Sequence, residues 1–170
     1  MTSDASKGTG KHAPPSEVAR AFYSAFAERD AERMASLYHP EATFHDPVFG
    51  TLNAAEAGDM WRMLLGRSPD MTVSSVLLGT EGQTAQVRWD AYYPFSRTGR
   101  RVHNVVHARL TTENGLIVRH TDRFNFWVWA RQALGLPGLL LGWTPALHGK
   151  ISKTALAGLQ AFRARPTSPG

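Results

Sequence analysis

The sequence predicts an α+β fold in which a curved, mostly antiparallel sheet wraps around three N-terminal helices, with an extra helix at the C-terminus. Three observations predict it. Apolar residues recur at helical spacing as far as Leu64. Beyond Pro69 the texture changes to alternating apolar runs separated by turn residues. After Gly135 a helical spacing returns. A curved sheet around helices leaves a conical cavity between them.

The elements follow in order. Residues 1–15 are small, polar and proline-ended, which reads as a mobile tail. Ser16 can cap a first helix with Val18, Phe22, Ala25 and Phe26 on one face. Asp30 starts a short second helix carrying Met34, Leu37 and Tyr38. A strand, Ala42 to His45, comes next. Asn53 and Glu56 have capping-box spacing for a third helix, with Ala57, Met60, Trp61 and Leu64 on one side and Gly66 at its end. Strands then read as Met71 to Leu78, Thr84 to Tyr93, Arg101 to Thr112 and Leu116 to Trp127. The last runs into WARQALG, helical until Gly135. Thr144 and Pro145 open a final helix with Leu147, Ile151, Ala155, Leu159 and Phe162 at nearly helical spacing. The domain plan is therefore tail (1–15), domain (16–134) and C-terminal helical extension (135–170), the last either packing on the sheet edge or covering a pocket.

Bulk properties narrow the function. A chain of 170 residues can bury a real core as one domain. It has no cysteine, so disulfides, thiolate metal sites and cysteine nucleophiles are excluded. That composition, with no apolar leader at the start, fits a cytoplasmic protein. The most apolar segment, LGLPGLLLGW, is too short and glycine-rich to span a bilayer, so no membrane partner is expected. The net charge is +5, but the arginines are scattered, with no stripe or recognition helix, so no nucleic acid is expected.

Chemistry concentrates first in LYHPEATFHDPVFG, Leu37 to Gly50. Asp46 ends a short apolar strand directly before Pro47, with Ala42, Phe44, Val48 and Phe49 around it. Apolar surroundings favour the neutral carboxyl and raise its pKa, which suits proton transfer near neutrality. The alternative is an Asx turn, with Asp46 bonding nearby amides.

This segment resembles the one that carries the catalytic base of bacterial ketosteroid isomerases, where a Tyr, an Ala-Thr pair and an Asp-Pro pair occur in the same order. By that resemblance Asp46 is the base, and the isomerases' oxyanion-hole tyrosine falls at or near Phe22, with Tyr23 adjacent but pointing elsewhere on the helix. The resemblance covers roughly Glu17 to Leu134. It extends to the nuclear-transport-factor-2-like superfamily, with its SnoaL-like polyketide cyclases and limonene epoxide hydrolases, and implies the conical barrel. GLIVRHTDRFNF is similar to the last core strand of those two families, which place a catalytic aspartate where Asp122 stands.

Alternation along that strand puts Leu116, Val118, His120, Asp122, Phe124 and Phe126 on one face. What faces Asp122 depends on the hairpin. A three-residue loop, Glu113 to Gly115, pairs it with Val106 and joins Val102, Asn104, Val106, Ala108 and Leu110 to the apolar face. This register is preferred because its face is more consistently apolar. A two-residue Asn114-Gly115 loop would pair Asp122 with His107, and a one-residue slip inverts every side chain. His107 stays a minority candidate, because the SnoaL-like comparison suggests a His–Asp dyad.

Arg88 and Asp90, in VRWDAYYP, share a face of the preceding strand. Their spacing resembles that of limonene epoxide hydrolase, where an arginine bridges two aspartates. Arg88, Asp90 and Asp122 would then form an acid–base unit. The competing reading, slightly preferred, is an exposed ion pair with Val87, Trp89 and Ala91 forming the core face.

These readings converge on a protein with a pocket for a small hydrophobic ligand, expected to be a cofactor-independent acid–base enzyme of isomerase or cyclase type. Alternatives are an epoxide hydrolase and a non-catalytic binding or interaction domain. Candidate catalytic residues are Asp46, Asp122, Asp90 and Arg88. Phe22, Phe26, Trp61, Tyr92, Asn104, Val106, His120 and Phe124 are the candidate pocket. No metal or cofactor is expected, since the histidines lack ligand spacing. A homodimer through the sheet is expected, on the ground that Val87, Trp89 and Ala91 are costly to leave in water.

Overall fold

The computed structural model describes residues 12–165. Three helices come first: α1 (Pro15–Ala27), α2 (Ala31–Ser36) and, after strands β1 (Tyr38–Asp46) and β2 (Gly50–Asn53), α3 (Ala54–Arg67). Then come β3 (Thr72–Glu81), β4 (Thr84–Pro94), β5 (Arg101–Glu113) and β6 (Leu116–Arg123). The chain finishes with α4 (Phe126–Leu134), α5 (Leu136–Leu141) and α6 (Pro145–Arg163).

The six strands form one open sheet in the order β2-β1-β6-β5-β4-β3. Only the β1–β6 pair is parallel. The helices cover one face, as in a cone, and the core lies between. Phe22, Phe26, Met34, Phe44, Met60 and Leu110 are among its fully buried side chains. Alternation explains the sheet's contribution. On β4, Ala85, Val87, Trp89 and Ala91 are buried, and on β5 so are Val102, Val106, Ala108 and Leu110. Val87, Trp89 and Ala91 thus lie inside a single copy, which removes the solvent-exposure ground for a dimer.

Local chemistry sets the helix starts. The Asn53 side chain accepts from the Glu56 amide at 2.9 Å and the Glu56 carboxylate accepts from the Asn53 amide at 3.0 Å, closing the capping box of α3. Asp30 caps α2 through the Arg33 amide, 2.9 Å. Arg29, between α1 and α2, has φ 64°, and its guanidinium donates to the Leu65 carbonyl at the end of α3. Thr144 caps α6 with Pro145 at its first turn.

Several boundaries differ from the sequence reading. Helix α2 stops at Ser36, and Tyr38 opens β1 instead of extending the helix. β2 and α5 were not anticipated. β3 runs later than expected, Thr72–Glu81. The last strand ends at Arg123, because the Asn125 side chain accepts from the Val128 amide at 3.1 Å and caps a helix there. The predicted tail falls largely on residues 1–11, outside the described residues, and Pro15 already belongs to α1.

The β5–β6 hairpin differs in an instructive way. Its loop is the two-residue Asn114-Gly115, both with positive φ, 51° and 80°, as a tight primed turn requires. That loop alone would pair Asp122 with His107. However, Thr112 faces Ile117 while Thr111 faces Arg119, so Val118 is one residue extra, a β-bulge. The bulge restores the parity. Asp122 pairs with Ala108, not Val106, and Asp122, Ala108 and Val106 all face inward. Before the bulge Ile117, not Leu116 or Val118, is buried.

Candidate active site

Four elements bring polar side chains to one end of the core. Along β1, Tyr38, Ala42 and Phe44 are buried, and Asp46 continues the same alternation to the strand's end. β6 runs beside β1 with Phe44 opposite His120. It delivers His120, with no exposed surface, and Asp122, 3% exposed. α1 adds Tyr23 and α3 adds Trp61, both buried.

These groups form a hydrogen-bonded chain. Trp61 Nε1 donates to the Tyr38 hydroxyl oxygen, 3.1 Å. That hydroxyl is 2.7 Å from His120 Nδ1, and His120 Nε2 is 2.9 Å from Asp122 Oδ1. The donor inventory sets the protons. An indole N–H can only donate, so the Tyr38 proton is free to go to His120 Nδ1. The imidazole is then neutral, with its own proton on Nε2 donated to Asp122. A doubly protonated ring would leave the Tyr38 proton without an acceptor in this buried chain. Burial also pushes the Tyr38 and Tyr23 hydroxyls well above the usual tyrosine range, and the negative charge of Asp122 pushes the same way. Trp89 Nε1 reaches the same Asp122 oxygen at a longer 3.5 Å. Phe22 and Phe44 close on the His120 ring edge-on, with centroids 5.2 and 5.1 Å away.

Asp46 Oδ1 accepts from the amides of Val48, 2.9 Å, and Phe49, 2.5 Å, the Asx turn expected before Pro47. The expected pKa rise is also present. Burial lifts the carboxyl from 3.8 to about 6, against the lowering effect of the Phe49 amide. The Asp122 charge works in the same direction as burial, and the Val48 amide in the same direction as that of Phe49. The turn and the proton-transfer readings are thus compatible, since burial outweighs two amide bonds.

Asp46 and Asp122 line one cavity of about 300 Å³. Its walls are mostly apolar, with Phe26, Trp61, Trp89, Val106 and Phe124 among them. Asn104 adds an amide, and Ile151, Thr154 and Ala155 of α6 close one side. α6 therefore covers the cavity and packs on α3, not on the sheet edge. Arg163 pairs with Asp59 and Glu56 of α3, 3.0 and 3.2 Å. Near its other end, His148 Nε2 meets the Pro47 carbonyl, 2.5 Å, next to Asp46.

Of the candidate pocket residues, Phe26, Trp61, Asn104, Val106 and Phe124 line the cavity. Phe22 and His120 do not; they are buried behind its wall. Tyr92 is half exposed on the outer face, and its neighbour Tyr93 lines the cavity instead. Strand alternation accounts for this, because Trp89, Ala91 and Tyr93 point inward.

The same parity places Arg88 and Asp90 outside. The guanidinium bonds Asp90 through Nε and Nη2, 3.1 and 3.0 Å, and His103 Nε2 lies 2.7 Å from the same carboxylate. Arg88 beside it, then His103, hold the Asp90 carboxyl below its ordinary value. Arg88 does not bridge to Asp122, which is on the opposite face of the sheet. His107 is exposed on the outer face as well. The histidine beside Asp122 is His120, on its own strand. Tyr38 and Tyr23 were missed as site residues. Their signals were the even-numbered run 38, 42, 44, 46 on β1 and the helical set 19, 22, 23, 26 on α1. Among the described residues no group of three His, Cys, Asp or Glu could hold a metal ion.

Comparison with known proteins came to the same fold. A family model, the SnoaL-like domain, matches residues 19–120. Among curated proteins none matches significantly. Similar solved structures include IdmH of Streptomyces antibioticus, a candidate polyketide cyclase, 22% identical over 69% of this chain and 96% of that one, TM-score 0.61. A hypothetical protein of Catenulispora acidiphila with a ketosteroid isomerase-like fold, in complex with trimethylamine, is 16% identical over 78% and 100% of the chains, TM-score 0.64. TerC, co-crystallised with polyporic acid, is 20% identical over 71% and 98%, TM-score 0.62.

Proposed function

From the premise that this chain belongs to the SnoaL-like domain family, we propose that it is a cofactor-independent acid–base enzyme acting on a small hydrophobic carbonyl compound. One observation carries the reading: a carboxyl titrating at about 6, Asp46, shares an apolar cavity with a second carboxyl, Asp122. Each has Oδ1 engaged by the protein, and among the described residues Oδ2 of each has no hydrogen-bond partner.

In this reading the ionised Asp46 takes a proton from the carbon next to a substrate carbonyl. The electron pair moves onto the carbonyl oxygen as an enolate, to which the Asn104 amide donates. Asp46 then returns its proton to another carbon, which isomerises the substrate. In the cyclase variant the enolate carbon attacks a second carbonyl, and the new alkoxide takes the proton. Asp122 keeps Asp46 basic through its negative charge. His120, Tyr38 and Trp61 orient Asp122. A positioned base of this kind contributes about 10²–10⁴-fold.

The test is deuterium exchange at carbons adjacent to the carbonyl in a panel of flat polycyclic ketones that carry a proton there. Exchange above the buffer rate by the wild type, falling at least about 100-fold in Asp46→Asn, is expected. Equal exchange by the two proteins would remove Asp46 from the chemistry.

A further inference from the structure

The surface of α5 is inverted relative to an ordinary amphipathic helix. Its small residues face the protein. A Cβ on Gly138 would run into the Ala130 carbonyl oxygen, and one on Gly142, just past the end of α5, would lie 3.0 Å from the Ala130 side chain. The backbone of α5 is thus pressed on α4, and Trp127 Nε1 ties the two by donating to the Leu139 carbonyl, 3.2 Å. The large apolar residues face out. Leu136 is 71% exposed, Leu140 65% and Trp143 73%, with Leu139 and Leu141 about half exposed.

Such a patch needs an occupant, since leucines are not left contiguous in water without reason. Two features favour a lipid surface. Leu139, Leu140 and Leu141 are successive, so they point about 100° apart around the helix. Together with Leu136 they make a convex knob that is apolar on most of its circumference. A groove in a protein engages one stripe of a helix, whereas a fluid apolar solvent accepts every direction. The segments that form and brace the knob also carry charge of one sign. No Asp or Glu occurs between Asp122 and Arg165, or between Asp90 and Glu113. Exposed Arg100 packs on Gly135 at the start of α5, and the hairpin carrying it and Arg97 is tied to α4, Thr98 Oγ1 donating to the Ala133 carbonyl at 2.6 Å. Arg131 lies over the Trp127 ring, 5.0 Å. Arg101, by contrast, shares a surface hollow with Asp70.

We infer that α5 and Trp143 insert into the interfacial layer of an anionic lipid membrane, with Arg97, Arg100 and Arg131 at the headgroups. No helix of the described residues is long and apolar enough to cross a membrane, so the contact is peripheral. The same end of the molecule supplies Phe95, Arg97, Trp129 and Ile151 to the cavity wall. A lipophilic ligand therefore has a short way between bilayer and cavity.

The experiment is flotation of the full chain with phosphatidylcholine vesicles and with mixed phosphatidylcholine–phosphatidylglycerol vesicles. Binding to the anionic vesicles is expected, weakened by salt and accompanied by a blue shift in emission that Trp143→Phe abolishes. The double variant Leu140→Asp, Leu141→Asp should lose binding while keeping its circular dichroism and melting profile, since both side chains are exposed. Arg97→Gln with Arg100→Gln should weaken binding about tenfold or more. Three outcomes would overturn the inference: no binding to anionic vesicles, binding that survives the double aspartate variant, or a wild-type dimer that this variant turns into a monomer without vesicle binding in either form. The last would assign the patch to a second copy of the chain. None depends on the proposed reaction, so vesicle binding and catalysis can fail separately.

Discussion

His120 and Asp122 stand two residues apart on one strand, and their side chains meet, with Nε2 2.9 Å from Oδ1. Alternation puts both on the inner face, and the flanking bulge at Val118 keeps them there. The ring's other nitrogen is bonded to Tyr38, which is bonded to Trp61. The orientation of Asp122 toward the cavity is therefore set by His120 and Tyr38, buried behind the cavity wall, and by Trp61, which is part of that wall. A fully hydrogen-bonded buried network of this kind rigidifies a site, and each missing member leaves a neighbour unsatisfied.

Tyr38→Phe should test that chain. The substitution leaves the Trp61 N–H and His120 Nδ1 without their partner in a buried setting. A loss of about 1–3 kcal/mol in stability is expected from such unsatisfied groups. Long-range proton–nitrogen correlation spectra should show a neutral His120 with its proton on Nε2 in the wild type. In the variant the tautomers should mix. A doubly protonated His120 in the wild type at pH 7 would contradict the proton assignment.

Asp122→Asn should lower the pKa of Asp46. The Asp122 charge is one of the influences that raise it, while burial, the largest, stays in place. Carbon-detected titration should move Asp46 to a value between its ordinary 3.8 and the wild-type value of about 6. An unchanged or raised value would mean that the two carboxyls do not sense each other.

The limits of reading this site from sequence are visible at single residues. The fold was legible because helical spacing, capping residues and turn glycines act locally, and Asn53 with Glu56 behave as their spacing implies. Asp46 and Asp122 were legible as carboxylates on apolar segments. The partner of Asp122 was not. It depends on a one-residue bulge at Val118 that leaves no mark in a pattern of alternation, and that compensates for a shorter hairpin loop. Tyr38 was misread because it follows α2 directly and continues its apolar spacing. Arg88 and Asp90 have a spacing that suits either face, and only the burial of Trp89 decides between them. α5 was unreadable as a helix because Gly138 within it, which weakens a helix in isolation, and Gly142 just after it are required for contact with α4.

The outer cluster should be separable from the cavity. Asp90→Asn removes the acceptor of Arg88 and His103 on the outer face. Surface pairs of this kind contribute little. The thermal midpoint should stay near that of the wild type, and the titration of Asp46 should not move. A displaced Asp46 titration would show that the two faces of the sheet are electrostatically linked.

Asp46→Asn should make the protein more stable above neutral pH and, on the proposed reaction, abolish turnover. The Asp46 pKa is raised from 3.8 to about 6 in the folded state. Between those values the folded chain holds a proton that the unfolded chain has released, so stability falls as pH rises through this window and is level above it. The shift of about 2 units corresponds to a penalty of roughly 3 kcal/mol on the ionised wild type. An asparagine is neutral throughout and its carbonyl can still accept from Val48 and Phe49, though less strongly than a carboxylate. The variant should therefore gain about 1–3 kcal/mol over the wild type at pH 8 and be close to it at pH 4. Denaturant melts at the two pH values measure this. For the wild type, kcat/KM should rise with pH along a limb near 6, because the base must be ionised to act. A variant that is equally destabilised at both pH values would indicate that the amide bonds of the turn, not the desolvated charge, dominate at this position.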